Sequence, residues 1–187
     1  MARRTLVNID EKMLDAAILI GSEEGIDAIT SRKIAKICGI TDPLVFVHFK
    51  TMDNLMTEVY KKICGELYEN AKTLDLKGTP EDFHEKWDGI VNYFVDNPVL
   101  TKFLYNIIHS KYGEKVPNEF KEFYLKIVRN ALEMNNPGLN DDQCIIFYYL
   151  SMESLLHFAV RILRGEIEFN EKTSRVACKL ILGGYEI

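Results

Sequence analysis

Cysteine is sparse and unpatterned. Cys38, Cys64, Cys144 and Cys178 form no C-x-x-C pair, and no C-x-x-H or H-E-x-x-H spacing occurs. A disulfide framework and a structural zinc site therefore find no support, and no metal ligands are expected. Such thiols in a reducing compartment pack as small hydrophobes. Proline (5) and glycine (11) are few, which argues against a collagen-like, low-complexity or long disordered chain. No run of 18 uncharged apolar residues occurs. The richest stretch, Cys144 to Leu163, contains Glu153, His157 and Arg161, so no membrane span is expected. The opening Met1-Ala2-Arg3-Arg4 leads into Asp10-Glu11 rather than an apolar signal segment, which points to a cytoplasmic protein. Catalytic signatures are also missing: there is no nucleophile elbow, phosphate-cradling glycine loop or Cys/His arrangement of known spacing. The acidic pairs Glu23-Glu24 and Asp141-Asp142 lie at helix ends, and the second pair, at an N-terminus, complements the helix dipole. Neither an enzyme nor a cofactor is expected.

What is present is an ordinary soluble composition. The 187 residues are 47% hydrophobic and 27% charged, with a net charge of −5, enough for one or two compact domains. The charge is unevenly placed. Residues 1–50 hold seven basic and seven acidic side chains, so the whole negative excess falls on the remainder. Within residues 30–50, Arg32, Lys33, Lys36 and Lys50 face only Asp42. This basic island on an acidic chain suits phosphate contacts.

Helical periodicity dominates, and the fold class read from it is all-α, with about nine helices. Met13, Ala16, Ala17 and Ile20 keep the i, i+3, i+4, i+7 spacing of a first helix that ends near Gly25. Thr30 and Ser31 can cap a short second helix with Ile34, Ala35 and Cys38 inward, broken by Gly39. Thr41 can cap a third, with Pro43 in its first turn, ending near Lys50. Leu44 to Val47 reads as a strand by composition alone; length and the preceding cap favour a helical turn. Longer stripes follow: Leu55, Val59, Ile63 and Leu67; Phe83, Trp87, Ile90 and Phe94; Leu100, Phe103, Leu104, Ile107 and Ile108; and Phe120, Phe123, Tyr124, Ile127 and Ala131. After the loop signal Asn135-Asn136-Pro137-Gly138, a helix runs from about Asp141 to Arg164, and a last one carries Val176, Ala177, Leu180 and Ile181.

The helix from Asp141 is apolar nearly all round, with Cys144 to Leu150 lacking a polar face. Such a helix must be buried all round. In a chain this small, one side meets its own core and another a second copy, most simply as a two-fold homodimer. The alternative is the central helix of a monomeric bundle.

Two short helices around a glycine-containing turn, with the second free to enter a major groove, are the layout of a helix-turn-helix. Residues 8–60 resemble the TetR family of bacterial transcriptional regulators. The resemblance is carried by Met13-Leu14-Asp15-Ala16-Ala17, Glu24-Gly25-Ile26-Asp27-Ala28, Ile34-Ala35-Lys36-Ile37-Cys38-Gly39-Ile40-Thr41, Phe46-Val47-His48-Phe49-Lys50 and Asn54-Leu55. It implies a three-helix DNA-binding domain over residues 1–52, then a larger helical domain over residues 53–187 that holds a small-molecule site and the dimer contact. The family's dimer contact, often made by the last two long helices, would here draw on Tyr149, Leu156, Val160, Val176 and Leu180.

Departures from the family pattern fall on the recognition helix. Pro43 and Leu44 stand where relatives often carry Gly or Ala, then Thr or Ser. Phe46 replaces a hydroxylated aromatic that commonly contacts phosphate. Val47 replaces a polar or basic residue, and Met52 a lysine. Leu44 and Val47 can reach thymine methyl groups but cannot hydrogen-bond base edges. Two readings stay open. In one, Thr30, Arg32, Thr41, His48 and Lys50 hold phosphates of double-stranded DNA while Leu44 and Val47 touch bases. In the other, groove reading has decayed and the chain is a ligand- or partner-binding dimer. Gly21 stands where relatives often place a large aromatic, and it should weaken the first helix by up to about 1 kcal/mol relative to Ala.

The larger domain is rich in aromatics, which suits a small apolar or amphipathic ligand oriented by a few polar groups. Trp87, Phe103, Tyr124 and Tyr148 are the apolar candidates, and His109, Glu153 and His157 the polar ones; Glu153 and His157 share a helical face. Each also has a plain reading as core or as a structural pair.

Overall fold

The computed structural model describes residues 2–71, 80–113 and 140–182, together with 122, 125 and 129, and the side chains of these residues except 2–8, 71, 80–83 and 182. Eight α-helices and one 3-10 turn, with no strand, make up the described residues: α1 (Ala2–Glu23), the turn Ile26–Ala28, α2 (Ser31–Cys38), α3 (Asp42–Phe49), α4 (Met52–Ala71), α5 (Pro80–Asp96), α6 (Pro98–Ile108), α7 (Asp141–Leu163) and α8 (Glu171–Leu182). Of the helix expected between Phe120 and Ala131, only positions 122, 125 and 129 are described, all helical; the rest lies outside the described residues. So do the loop at 135–138, the Phe83 side chain and the glycines at 183–184.

The chain forms two compact units, one from Met1–Glu66 and Lys102–Pro117, the other from Leu67–Thr101 and Asn118–Ile187. The first unit therefore draws in α4 residues beyond position 52 and a later segment. Its core takes Met13, Ala16, Ala17 and Ile20 from α1, Ile34 and Ala35 from α2, and Val45 and Phe49 from α3. Leu55, Val59 and Ile63 of α4 and Phe103 and Ile107 of α6 complete it. The chain punctuation is local chemistry. Thr30 Oγ1 accepts the Lys33 amide at 3.3 Å at the start of α2. Gly39, at φ 67°, closes that helix in the left-handed region, and the Ile40 amide reaches back to the Ala35 carbonyl at 3.0 Å. Thr51 Oγ1 accepts the Asn54 amide at 3.1 Å, so α4 opens on a capped turn.

Gly21 has a packing reason that the sequence conceals. A Cβ there would stand 2.7 Å from the Phe103 ring and 3.1 Å from Ile26 Cδ1. The Asn106 side-chain amide also donates to the Gly21 carbonyl at 2.8 Å. The bare backbone of α1 is thus the seat on which α6 packs.

In the second unit α5, α7 and α8 pack on one another. The inner stripe of α5 is Trp87, Val91 and Phe94, with Ile90 only half-buried; the expected stripe is turned by one position. Asn140 opens α7 with a full capping box, its side chain accepting from the Gln143 amide while the Gln143 side chain accepts from the Asn140 amide, both at 2.9 Å. Trp87 Nε1 donates to the Ser174 hydroxyl at 3.1 Å, and that hydroxyl donates to Asp88, tying α5 to α8 inside the unit. By length and composition α7 is apolar enough to cross a membrane, but it carries Glu153 and Arg161 and buries Tyr148, Leu155, Leu156, Ala159 and Val160 within its own unit.

Candidate nucleic-acid interface

The site is built on α2 and α3, joined by the Gly39 turn. α2 packs on α1 through Ile34 and Ala35, and α3 packs on α2 while burying Val45 and Phe49. Burying positions 45 and 49 turns positions 43, 46, 47 and 50 outward. Pro43, Phe46, Val47 and Lys50 are all exposed there, Val47 at 69%, and Leu44 is half-buried beside them. An eight-residue helix is about 12 Å long, and a B-form major groove, also about 12 Å wide, admits one.

Exposed cations are found on both helices. Arg32 and Lys36 lie exposed on α2, and Lys50 lies at the end of α3. Lys50 holds φ 64°, a positive value unmatched among the other described non-glycine residues, and its amide donates to the Phe46 carbonyl at 2.9 Å. With ψ −45° and the Thr51 amide donating to the Phe49 carbonyl at 2.7 Å, Lys50 is the centre of a γ-turn of the rare, strained hand, which leads the chain into α4. Lys33 is committed elsewhere, bonded to Glu24 at 2.6 Å. Asp42 sits in the first turn of α3, where it complements the helix dipole.

Two expected roles change. Thr41 occupies the N-cap of α3, but its side chain makes no capping bond, and Pro43 fills the first turn. Its exposed hydroxyl thus remains available outward. His48 is turned inward, 13% exposed, with Nδ1 against the Asp10 carboxylate of α1. It holds α3 to α1 and does not face the side that Val47 presents. Nothing in the sequence signals this, because Asp10 and His48 lie in different helices. Thr30 and Arg32 are exposed at the start of α2, although the Thr30 oxygen also serves as the cap. Ile37, 52% exposed on α2, adds an apolar side chain that the sequence reading did not single out, while Ile34 and Ala35 fill the inner face.

The candidate ligand residues do not converge. Trp87 and Tyr148 lie inside the second unit, with the Trp87 ring stacked 6.3 Å from Phe158. Phe103 is instead fully buried in the first unit against Gly21. His109 is exposed, its Nδ1 2.8 Å from the Tyr105 carbonyl. Glu153 and His157 are exposed on α7, in helical register with Ile146 and Leu150. Tyr124 lies outside the described residues.

The candidate dimer residues also divide. Tyr149 on α7 and Val176 and Leu180 on α8 are exposed, joined by Ile146 and Leu150. Leu156 and Val160 are 3% and 2% exposed within the single chain and fill its own core. The helix is the one expected, but its packing inside the unit takes up these two positions.

Residues 13–59 match the family model described as bacterial regulatory proteins, tetR family. No curated protein matches the chain. Among solved structures, a TetR family transcription regulator from Marinobacter aquaeolei VT8 is 16% identical, with a TM-score of 0.69 over 98% of this chain and 98% of that one. A TetR-like transcriptional regulator from Rhodococcus sp. RHA1 is 17% identical, with a TM-score of 0.66 over 94% of each chain. The transcriptional regulator FadR from Bacillus subtilis, solved in complex with stearoyl-CoA, is 17% identical, with a TM-score of 0.69 over 93% of this chain and 98% of its own. The resemblance to the TetR family is borne out, and with it the all-α architecture with an N-terminal helix-turn-helix.

Proposed function

We propose that this chain, which carries the helix-turn-helix of the TetR family of transcriptional regulators at its N-terminus, is a cytoplasmic, ligand-responsive repressor that binds a near-palindromic operator as a homodimer. Residues 1–52 form the DNA-binding domain, and residues 53–187 the ligand-binding and dimerisation domain. The observation that carries this reading is the outward face of α3, backed by the buried Val45 and Phe49, with exposed Arg32 and Lys36 on the adjoining α2 and Lys50 at its end. Thr30, Arg32, Thr41 and Lys50 hold phosphates, while Pro43, Leu44, Phe46 and Val47 enter the groove. Phosphate contacts set position and affinity, and base contacts set specificity.

Two copies pair through Ile146, Tyr149 and Leu150 of α7 and Val176 and Leu180 of α8, whose exposure in the single chain supports the pairing. Glu153 and His157 rim that patch. A symmetric pair presents its recognition helices to half-sites about 34–36 Å apart. A ligand that binds one separation better than another shifts operator affinity, typically by 1–3 kcal/mol. An apolar or amphipathic ligand suits the buried aromatics Trp87 and Tyr148, and the stearoyl-CoA bound by the Bacillus subtilis relative is of that kind.

Gel-shift titration against the DNA upstream of the gene tests the reading. Specific retardation should weaken with salt, and Lys50→Ala should reduce the log–log salt slope by about 1. Leu150→Asp with Leu180→Asp should convert a species of twice 21.6 kDa to one of 21.6 kDa in light scattering. Native mass spectrometry of the purified protein, and addition of long-chain acyl-CoA to the gel shift, test the ligand. A second reading, a ligand- or partner-binding dimer without sequence-specific DNA binding, draws on the inward His48 and the hydrocarbon surface of α3. It prevails where no duplex is bound better than random DNA at low salt.

A further inference from the structure

The outward face of α3 has an unusual chemistry for a groove-reading helix. Between Thr41 and Asp42 at one end and Lys50 at the other, it exposes Pro43, Phe46 and Val47, with Leu44 at its margin. None of these side chains donates or accepts a hydrogen bond. His48, whose imidazole would have supplied one, is held inward against Asp10. The α2 side adds another apolar side chain, Ile37. The exposed cations are Arg32 and Lys36 on α2 and Lys50 at the end of α3. Exposed hydrocarbon on α3, with cations on the adjoining α2 and at the end of α3 and the acid Asp42 at its start, fits a surface that offers both methyl groups and phosphates.

The major groove offers such a surface at thymine. Each base pair shows donors and acceptors there, and thymine adds the C5 methyl group. Pressing Val47 and Phe46 against G·C edges would strip water from groups that receive no partner, which is unfavourable. Pressing them against thymine methyls buries hydrocarbon on both sides. We propose that Phe46 and Val47 recognise the C5 methyl groups of thymines, so the centre of each half-site is read by methyl contact and by exclusion of polar edges rather than by hydrogen bonds. This rests on α3 being the groove helix. The chemistry recognised is a pyrimidine C5 methyl, so 5-methylcytosine presents the same feature.

The test begins with full-length protein and selection of its preferred duplex from a random library. Each thymine is then replaced by deoxyuridine, which removes one methyl and leaves base pairing intact. Loss of one buried methyl should weaken binding about fourfold, and at least one position per half-site should show it. Val47→Ala, at a site already 69% exposed, should fold normally and bind thymine and uracil duplexes equally at that position. A selected duplex in which every thymine-to-uracil change is neutral overturns the inference while leaving the regulator reading intact. Undiminished uracil sensitivity in both Val47→Ala and Phe46→Ala also overturns it, since the methyls would then be read elsewhere. Selection that yields no preferred duplex overturns this inference and the regulator reading together.

Discussion

Gly21→Ala is expected to destabilise the protein, although helix propensity alone says the reverse. Alanine in mid-helix is favoured over glycine by about 1 kcal/mol. The new methyl carbon would stand 2.7 Å from two carbons of the Phe103 ring and 3.1 Å from Ile26 Cδ1. Carbon atoms prefer about 3.5–4.0 Å, so the ring must retreat by about 1 Å. Phe103 is fully buried, with Ile107 and Met13 also fully buried in the same core. Overpacking of a tight core typically costs about 1–3 kcal/mol. The net expectation is a loss of about 1 kcal/mol, or a Tm drop of about 2–4 °C for a chain of this size. The same movement would lengthen the 2.8 Å bond from Asn106 to the Gly21 carbonyl. Urea and thermal unfolding followed by circular dichroism read the effect in wild type, Gly21→Ala, Phe103→Leu and the double variant. In the Phe103→Leu background the clash is relieved and Gly21→Ala should become neutral or stabilising, giving a coupling energy on the order of 1–2 kcal/mol. An equal effect of Gly21→Ala in both backgrounds, or a gain of about 1 kcal/mol in wild type, would refute the argument that Phe103 dictates this glycine.

Thr30→Ala should lower stability by about 0.5–2 kcal/mol because it removes a cap, whereas Thr41→Ala should change stability by less than about 0.5 kcal/mol and weaken operator binding instead; thermal melts beside gel shifts separate the two. Ser174→Ala removes the acceptor from the buried Trp87 Nε1 and the donor from Asp88, and a loss of about 1–3 kcal/mol in urea unfolding is expected. Burial pushes the Cys64 thiol from 9.0 to about 12. Cys178 rises to about 11, first through burial and second through Asp88. Raised folded values mean that the stabilising contribution is complete below about pH 9 and fades as pH climbs toward 11–12. Between about pH 8 and about pH 10.5, wild type should therefore lose more stability in urea unfolding than Cys64→Ala/Cys178→Ala; parallel losses would contradict this.

Local periodicity made most of the first unit legible. Met13, Ala16, Ala17 and Ile20 point inward, as do Leu55, Val59 and Ile63, because one continuous helical stripe decides their side. Thr30 and Gly39 were readable for the same reason, since capping involves only neighbours in sequence. What escaped depends on distant partners. The need for Gly21 comes from Phe103, and the inward turn of His48 comes from Asp10. On α7, apolar on nearly every side, periodicity supplies no direction. The split between buried Leu156 and Val160 and exposed Leu150 and Tyr149 is set by how the other helices of the unit pack on α7. In the candidate site, the apolar side chains of α3 were plain from the sequence, but their exposure, and the company of Ile37, required the fold.

The sequence contains a single tryptophan, and its indole is 4% exposed, fastened to Ser174 and stacked on Phe158. All three residues belong to the second unit, while the unit bearing the helix-turn-helix has no indole of its own. Nature has thereby labelled one half of the molecule for optical spectroscopy. An emission change on adding an effector reports events around α5 and α8 directly. A change on adding operator DNA, in which no fluorophore touches the duplex, would record communication between the halves without any chemical tag.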